Sequence, residues 1–301
     1  MGDHTGIVIL LTGATGNVGS QVLRRLTARG DRVRVLVRDQ RRLGSERVRV
    51  QIALGDLSDP ASFRNALRGV DTVVHLAASI RDQPRASMEE LNGVATLRLV
   101  RAAERARTKR FIFFSAIGAS LHSRARFFRA KALAERAVEE SELQTTVFSP
   151  SIVYSADDPW LTLLRRLSLL PALPIAGPGR ARYQPIWSGD VADCVLSELD
   201  RAPSDGARRR FDLAGPETLT YDDIARLALR SWGRRRRLLH VPLPIVRAGL
   251  DAVEAVSRHK AFATWEEAEL MEIPMTTPRG SGDAESLGVQ PLRMSAVLAG
   301  S

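Results

Sequence analysis

The 301-residue chain has a single cysteine, Cys194. One cysteine cannot form an internal disulfide, and its solitary presence suits a reducing compartment. Because Cys194 lies in GDVADCVLSEL, which has the pattern of a half-buried helix, we expect an inert, packed thiol. A disulfide-stabilised scaffold is therefore excluded.

Long apolar runs are also missing. The N-terminal run IVILL is far shorter than the ~20 apolar residues that a membrane-spanning helix needs. The N-terminus also lacks the basic start and the small-residue cleavage site of a signal peptide. We therefore expect a cytoplasmic protein without a transmembrane segment, for which peripheral contact with a membrane surface stays open.

Lysine is scarce although the chain is basic, with a formal net charge of +10. Only three of the 44 basic residues are lysines: Lys109, Lys131 and Lys260. The arginines form short runs, such as Arg234 to Arg237, and aromatic residues do not interleave with them as in single-strand-binding proteins. We therefore expect no specific nucleic-acid binding.

Apolar runs alternate with amphipathic helical segments over the first half of the chain. The strands are predicted at 7–11, 32–37, 48–54, 71–78, 110–116 and 144–149. This alternation predicts an α/β protein with a doubly wound parallel sheet, covered by helices on both faces. We assign 1–150 to a Rossmann domain and 151–301, where the pattern loosens, to a smaller cap interleaved with it.

A glycine-rich turn, TGATGNVG, follows the first predicted strand and opens an amphipathic helix. Gly13 lets the chain turn sharply, Gly16 lets the backbone approach a pyrophosphate, and Gly19 lets the helix pack on the sheet. The helix directs its N-terminal amides and positive dipole end towards the phosphates. We therefore predict a dinucleotide site. Its predicted cradle comprises Gly13, Thr15, Gly16, Asn17, Val18 and Gly19.

The end of the second predicted strand bears on the choice of cofactor. An NAD-selective site would carry an acidic residue there, to bind the ribose hydroxyls. This chain has Arg38, followed by Asp39. Because a guanidinium can hold a 2′-phosphate through two parallel hydrogen bonds, NADP(H) is favoured, and NAD stays the alternative.

The turn TGATGNVG resembles the fingerprint of the short-chain dehydrogenase/reductase superfamily, in its extended and atypical branches. Further motifs fit in order: GDLSD, HLAA, FFSAIGA, RAKALAE, SPSIVY and QPIWSGDVA. The chain is most similar to the atypical group that includes the nucleotide-binding accessory subunit of respiratory complex I, with the NmrA-like proteins next. The resemblance implies that Asp56 and Leu57 border the adenine and that Ala77 lines the cleft near the ribose and phosphates.

The resemblance also implies a catalytic set. In the family, a tyrosine transfers a proton to the substrate, and a lysine four residues later lowers its pKa and binds the nicotinamide ribose. Here Ser115 and Lys131 stand at the serine and lysine positions, but Phe127 replaces the tyrosine. Phenylalanine cannot transfer a proton. No metal site is predicted.

Other groups could replace the missing hydroxyl. His75, His122 and Tyr154 are the candidates, although each is more often structural. Ser149 precedes Pro150 where the family usually has an arginine, which argues against nucleotide-sugar chemistry.

Three functions remain open. The first is an NAD(P)H-binding protein with weak or no turnover, acting in structure, assembly or redox sensing. The second is an NADPH-dependent reductase of a small apolar carbonyl or quinone, and the third is an NmrA-like regulator. The apolar segments 160–175 and 245–256 could form an apolar ligand pocket, lie on a membrane or cover the sheet.

Overall fold

The computed structural model of the protein describes residues 6–83, 86–202, 207–248 and 265–300. Its strands are β1 Val8–Thr12, β2 Arg32–Val37, β3 Gln51–Leu54, β4 Thr72–His75, β5 Arg110–Phe114, β6 Gln144–Pro150, β7 Val153–Tyr154, β8 Ala172–Ala176, β9 Arg182–Tyr183, β10 Ile186–Trp187, β11 Arg208–Leu213, β12 Leu219–Thr220 and β13 Arg237–Val241. The α-helices are α1 Asn17–Arg29, α2 Pro60–Phe63, α3 Ala95–Arg105, α4 Arg126–Glu139, α5 Pro159–Leu167, α6 Ser188–Asp200, α7 Tyr221–Ser231, α8 Trp265–Leu270, α9 Gly282–Ser286 and α10 Met294–Ala299. Two 3₁₀ segments span Gln40–Val48 and Arg64–Leu67, and a π-helical turn spans Glu90–Val94.

The central sheet is parallel and has the strand order β11-β6-β5-β4-β1-β2-β3. Consecutive residues of β1 point to opposite faces, as the pleat requires. Leu11 packs in a core with α1 and α6, whereas Leu10 packs on the other face in a core with α3 and α4. The predicted Rossmann fold with helices on both faces is confirmed.

The chain beyond residue 150 contributes to this core. β11 forms the edge of the sheet beside β6, and α6 packs against α1. Cys194 on α6 is fully buried in the same core, as predicted. Other described elements of the second half, namely α5, α7, α10 and the parallel pair β8–β13, form a separate apolar cluster. The domain boundary at residue 150 stays a prediction.

Several predicted elements differ in extent. β4 ends at His75 and not at residue 78, and β5 ends at Phe114 and not at residue 116. β3 begins at Gln51 and not at Val48, because Val48 is the last residue of a 3₁₀ segment that starts after the N-cap residue Asp39. The predicted amphipathic segment 160–175 is a helix only as far as Leu167 and continues as β8, after a proline that cannot extend the helix. In the second apolar segment, Leu250 and Val253 lie outside the described residues.

Within the described ranges, no helix is long and apolar enough to cross a membrane. The cytoplasmic location stays a prediction.

Candidate functional site

The glycine turn has the geometry that a dinucleotide needs. Gly13 has a φ of 74°, and a Cβ there would lie 2.5 Å from the backbone nitrogen of Ala77. A Cβ on Gly19 would lie 2.0 Å from the carbonyl oxygen of Gly13. Any side chain at either position would therefore displace backbone. The glycines bring the first turn of α1 directly against the ends of β1 and β4.

The amino end of α1 is open to a ligand. Gly16 is the N-cap residue and offers no side-chain hydrogen bond, and the first turn of the helix contains no acidic residue. The first amides of a helix have no intrahelical partner, so the amides that follow Gly16 can donate to phosphate oxygens. Thr15, Asn17 and Val18 surround this opening and are half-buried. The residues present therefore fit a pyrophosphate.

The next loops place the predicted adenosine contacts. Arg38 is exposed immediately after β2. The carboxylate of Asp39 accepts a hydrogen bond from the backbone N–H of Arg41 at 2.9 Å, so it is already used as a cap. Asp56 likewise accepts from the backbone N–H of Ser58 at 3.0 Å. Leu57 follows it and packs partly against the core beneath α3. The choice between NADP(H) and NAD stays a prediction.

Lys131 is buried, with only 3% of its surface exposed. Its Nζ donates to the carbonyl oxygen of Phe114, at the end of β5, over 2.6 Å. The ammonium lies 5.1 Å from the ring centroid of Phe113 and 5.7 Å from that of Phe127. Burial lowers the pKa of Lys131 to about 8, although Glu135 one turn further along α4 opposes the shift. Lys131 is therefore not a surface lysine.

Phe127 lies in an apolar environment. It packs with a small cluster formed by Ala116, Ala125, Phe128 and Leu270. Met271, Ile273 and Met275 from the second half of the chain border the same cluster. The position at which the family carries a hydroxyl therefore faces carbon and sulfur atoms.

His75 has a structural role. Its Nδ1 hydrogen bonds with the Thr12 hydroxyl at 2.7 Å and its Nε2 with the Thr96 hydroxyl at 3.0 Å. Burial, assisted by the nearby charge of Lys131, lowers the pKa of His75 to about 3. The imidazole is therefore neutral near pH 7 and ties β1 and β4 to α3. Sequence analysis did not identify Thr12 and Thr96, because the contacts cross 63 and 21 residues.

The two other proton-donor candidates are also poorly placed. His122 is exposed in the loop before α4. Tyr154 is fully buried, and its hydroxyl has no hydrogen-bond partner among the described residues. Burial and the charge of Asp190 raise the pKa of Tyr154. Neither side chain adjoins Phe127 in the apolar cluster.

Two buried serine hydroxyls lie at the carboxyl ends of adjacent strands. Phe114 of β5 is in register with Phe148 of β6, and Ser115 and Ser149 are the next residue on each chain. Neither hydroxyl has a partner among the described residues. Since such groups are rarely left unpaired in a core, they are candidates for contact with a ligand near Lys131. Within the described part of the chain, no cluster of residues could hold a metal ion.

A loop between β4 and the π-helical turn is fixed by Asn92. The buried amide of Asn92 accepts from the backbone N–H of Ser79 at 3.0 Å and donates to the Ser79 carbonyl at 2.6 Å. It also donates to the Met88 carbonyl at 2.8 Å. Asn92 therefore shapes the rim of the cleft after Ala77.

The Rossmann fold, the glycine turn and the open amino end of α1 together define the class of NAD(P)H-binding Rossmann proteins. The family model described as NAD(P)H-binding matches residues 13–200, and the chain belongs to that family. It is an atypical member of the short-chain dehydrogenase/reductase superfamily.

Relatives support this placement. The chain is 29% identical over 264 residues to subunit 9 of the mitochondrial NADH dehydrogenase (ubiquinone) 1 alpha subcomplex of Arabidopsis thaliana, covering 81% of this chain and 62% of that protein. It is 32% identical over 248 residues to the photosystem II assembly factor Ycf39 of Cyanophora paradoxa, covering 78% and 72%. It is 27% identical over 291 residues to a ceramide reductase of Caulobacter vibrioides, covering 94% and 90%. The chain thus spans less than two thirds of the Arabidopsis relative.

Solved structures agree on the fold. A nucleoside-diphosphate-sugar epimerase from Staphylococcus aureus superposes with a TM-score of 0.77 at 21% identity, over 97% of this chain and 100% of the other. The UDP-glucose 4-epimerase of Thermus thermophilus, in complex with NAD, superposes with a TM-score of 0.73 at 16% identity, over 97% of both chains. At these identities the likeness concerns the fold alone.

Proposed function

We propose that the protein binds NADP(H) as a resident ligand and turns it over slowly or not at all. The observation that carries the proposal is the combination of a buried Lys131 with Phe127 at the proton-donor position. The glycine turn and the lysine, which bind the dinucleotide in related enzymes, are both present. The hydroxyl, which serves only the reaction, is absent.

The consequence for chemistry follows from the proton. When bound, NADPH supplies a hydride, and reduction of a carbonyl also needs a proton at the substrate oxygen. Phe127 cannot donate one, and His75 is neutral with both ring nitrogens engaged. Two of the proton-transfer routes considered are thereby closed. A bound cofactor that reacts slowly suits a structural, assembly or redox-sensing role. The names of two relatives, a respiratory-complex subunit and an assembly factor, support this reading.

Fluorescence titration with NADPH and NADH tests the proposal. We expect both to bind and NADPH to bind more tightly. Arg38→Gln should weaken NADPH binding about tenfold or more and leave NADH binding nearly unchanged, because only NADPH carries the 2′-phosphate. Arg101→Gln is the matched control, because it also removes one exposed arginine, but from α3. Absence of binding of either dinucleotide would refute the proposal.

A second candidate is an NADPH-dependent reductase of an apolar carbonyl. The apolar cluster around Phe127 favours it, since an apolar substrate could rest there against Phe128 and Met271. The similarity to a ceramide reductase over most of both chains supports the same candidate. Lys131 or water would then donate the proton.

The rate of NADPH oxidation by the wild type, together with the effect of Phe127→Tyr on it, distinguishes the two candidates. In a protein that only lacks the hydroxyl, the new tyrosine would lie on the same helix face as Lys131 and raise NADPH oxidation with a ketone by about 100-fold or more. The measurement is NADPH oxidation by a long-chain ketone or a quinone, with Phe128→Tyr as control. If the wild type already oxidises NADPH at an enzymatic rate, the reductase is correct and the slow-turnover proposal is wrong. The NmrA-like alternative stays a prediction.

A further inference from the structure

The second half of the chain contains two stretches without any acidic residue. Residues 159–176 hold two arginines, residues 231–248 hold five, and neither stretch has an aspartate or glutamate. The stretches are neighbours in space, because β8 and β13 pair in parallel with Arg237 opposite Ala172. Parallel pairing brings the residues that precede both strands to the same edge.

Hydrogen bonds join the two stretches at that edge. The guanidinium of Arg234 donates to the Arg165 carbonyl at 2.9 Å and also to the Ser168 hydroxyl. Arg236 donates to the Ser168 carbonyl at 3.1 Å. These contacts hold the loop before β13 against the turn that links α5 to β8.

Large apolar side chains are exposed at the same edge. Leu169 is 68% exposed and Leu170 is 47% exposed in the turn, while Leu239 on β13 is 57% exposed. Leu239 lies on the same face of its strand as Arg237, two residues earlier. We define the arginine–leucine patch as Arg166, Leu169, Leu170, Arg235, Arg237 and Leu239.

The three arginines of this patch are exposed, and within the described residues none has an ion pair. Asp222 pairs with His240, which follows Leu239 towards the carboxyl end of β13. Uncompensated positive charge beside exposed leucines matches a surface with phosphates above a hydrocarbon layer. Guanidinium groups bind phosphates, and leucines gain by leaving water.

We propose that the arginine–leucine patch docks the protein on an anionic phospholipid bilayer as a peripheral contact. The arginines meet the lipid phosphates and the three leucines enter the interface. A charged surface alone would serve an acidic protein or a nucleic acid equally well. The exposed leucines favour the bilayer, because neither of those partners needs three of them within one arginine cluster.

Vesicle flotation of the full chain tests the proposal. We expect binding to vesicles in which about one third of the lipid is phosphatidylglycerol and little binding to phosphatidylcholine alone. Each arginine near such a surface contributes about a fivefold factor. Replacing Arg166, Arg235 and Arg237 with glutamine should therefore lower binding at least tenfold. Leu169→Ser with Leu170→Ser should also lower it about tenfold or more.

Matched variants elsewhere provide the controls. Replacing Arg64, Arg101 and Arg105 with glutamine removes the same charge from exposed sites on α3 and on the 3₁₀ segment Arg64–Leu67. Val48→Ser with Leu121→Ser removes two exposed apolar side chains outside the patch. Thermal unfolding and NADPH titration of every variant confirm the fold. They also keep this test separate from the proposed function, which failure of vesicle binding would not affect.

The outcomes are decisive in both directions. Loss of vesicle binding in both patch variants, with the controls unchanged, supports docking on the bilayer. Equal loss in the charge control would show attraction by net charge alone and overturn the proposal. Unchanged binding in the leucine variant, or binding to duplex DNA that depends on the same arginines but not on the leucines, would overturn it as well.

Discussion

Replacement of Lys131 by methionine should separate stability from ligand binding. Methionine has a similar length and no charge. In the folded protein burial lowers the pKa of Lys131 from its ordinary value of 10.5 to about 8. That difference corresponds to about 3 kcal/mol by which folding disfavours the charged form. Loss of the hydrogen bond to Phe114 offsets about 1–3 kcal/mol of the gain, so at pH 7 the variant should be as stable as the wild type or slightly more stable.

The pH dependence is the sharper observable. Because the folded pKa of Lys131 is the lower one, the unfolded chain binds more protons between about pH 8 and about pH 10.5, and stability rises with pH in that window. Below it, the destabilisation is fully present. From about pH 7 to about pH 9.5, the Lys131 contribution to the free energy of unfolding should grow by about 2 kcal/mol. Lys131→Met lacks this contribution.

Urea unfolding of wild type and variant at both pH values measures the difference. We expect the stability gap between them to change by about 2 kcal/mol in favour of the wild type as the pH rises. If the two proteins keep a constant gap, the ammonium is not held in a dry site and the reasoning fails. In parallel, NADPH titration should show affinity reduced about tenfold or more, because hydrogen bonds to a charged donor are lost.

Two further substitutions test the frame around the site. Gly19→Ala should abolish NADPH binding and lower the midpoint of thermal unfolding, because its Cβ would lie 2.0 Å from the Gly13 carbonyl oxygen, whereas Gly282→Ala, with open space around it, should change neither; a Gly19→Ala variant that binds normally would contradict the tight turn. In the His75→Gln variant, the free energy of unfolding should fall less steeply as the pH is lowered below about 6.5. The folded pKa of His75 is about 3 and its ordinary value is 6.5, so its contribution is complete above pH 6.5 and is lost as the pH falls, by about 2 kcal/mol at about pH 5. Acid unfolding of wild type and variant is monitored by circular dichroism. Identical unfolding curves for the two proteins would contradict a buried neutral imidazole.

Local features of the site were predictable from the sequence. The turn at Gly13, Gly16 and Gly19 depends on residues that are close in the chain. The structure shows the sharp turn predicted at Gly13 and the close packing predicted at Gly19, whereas the approach of Gly16 to a pyrophosphate stays a prediction. The side chains of Asp59 and Thr220 cap α2 and α7 by accepting from backbone N–H groups, which are also contacts between residues close in the chain. Contacts between residues that are close in the chain can therefore be predicted from the local sequence.

Long-range features were not predictable. The bond from Lys131 to the Phe114 carbonyl exists only because α4 packs against the end of β5. The ties of His75 to Thr12 and Thr96 depend on the same packing. In segment 160–175 the apolar pattern suits a helix and a strand equally, and the pairing of β8 with β13 decides its second half.

The environment of Lys131 bears on why the chain retains it. A buried ammonium that disfavours folding by about 3 kcal/mol would be replaced by a neutral residue without loss if it served packing alone. An acid–base role with a tyrosine is excluded by Phe127. Binding of a ligand in the folded state offsets such a penalty directly, since a ligand at 100 times its dissociation constant adds about 2.7 kcal/mol of stability. The retention of Lys131 is therefore in line with the proposed binding of NADP(H). If that proposal is correct, the free energy of unfolding of the apo protein should rise with the logarithm of the NADPH concentration above the dissociation constant.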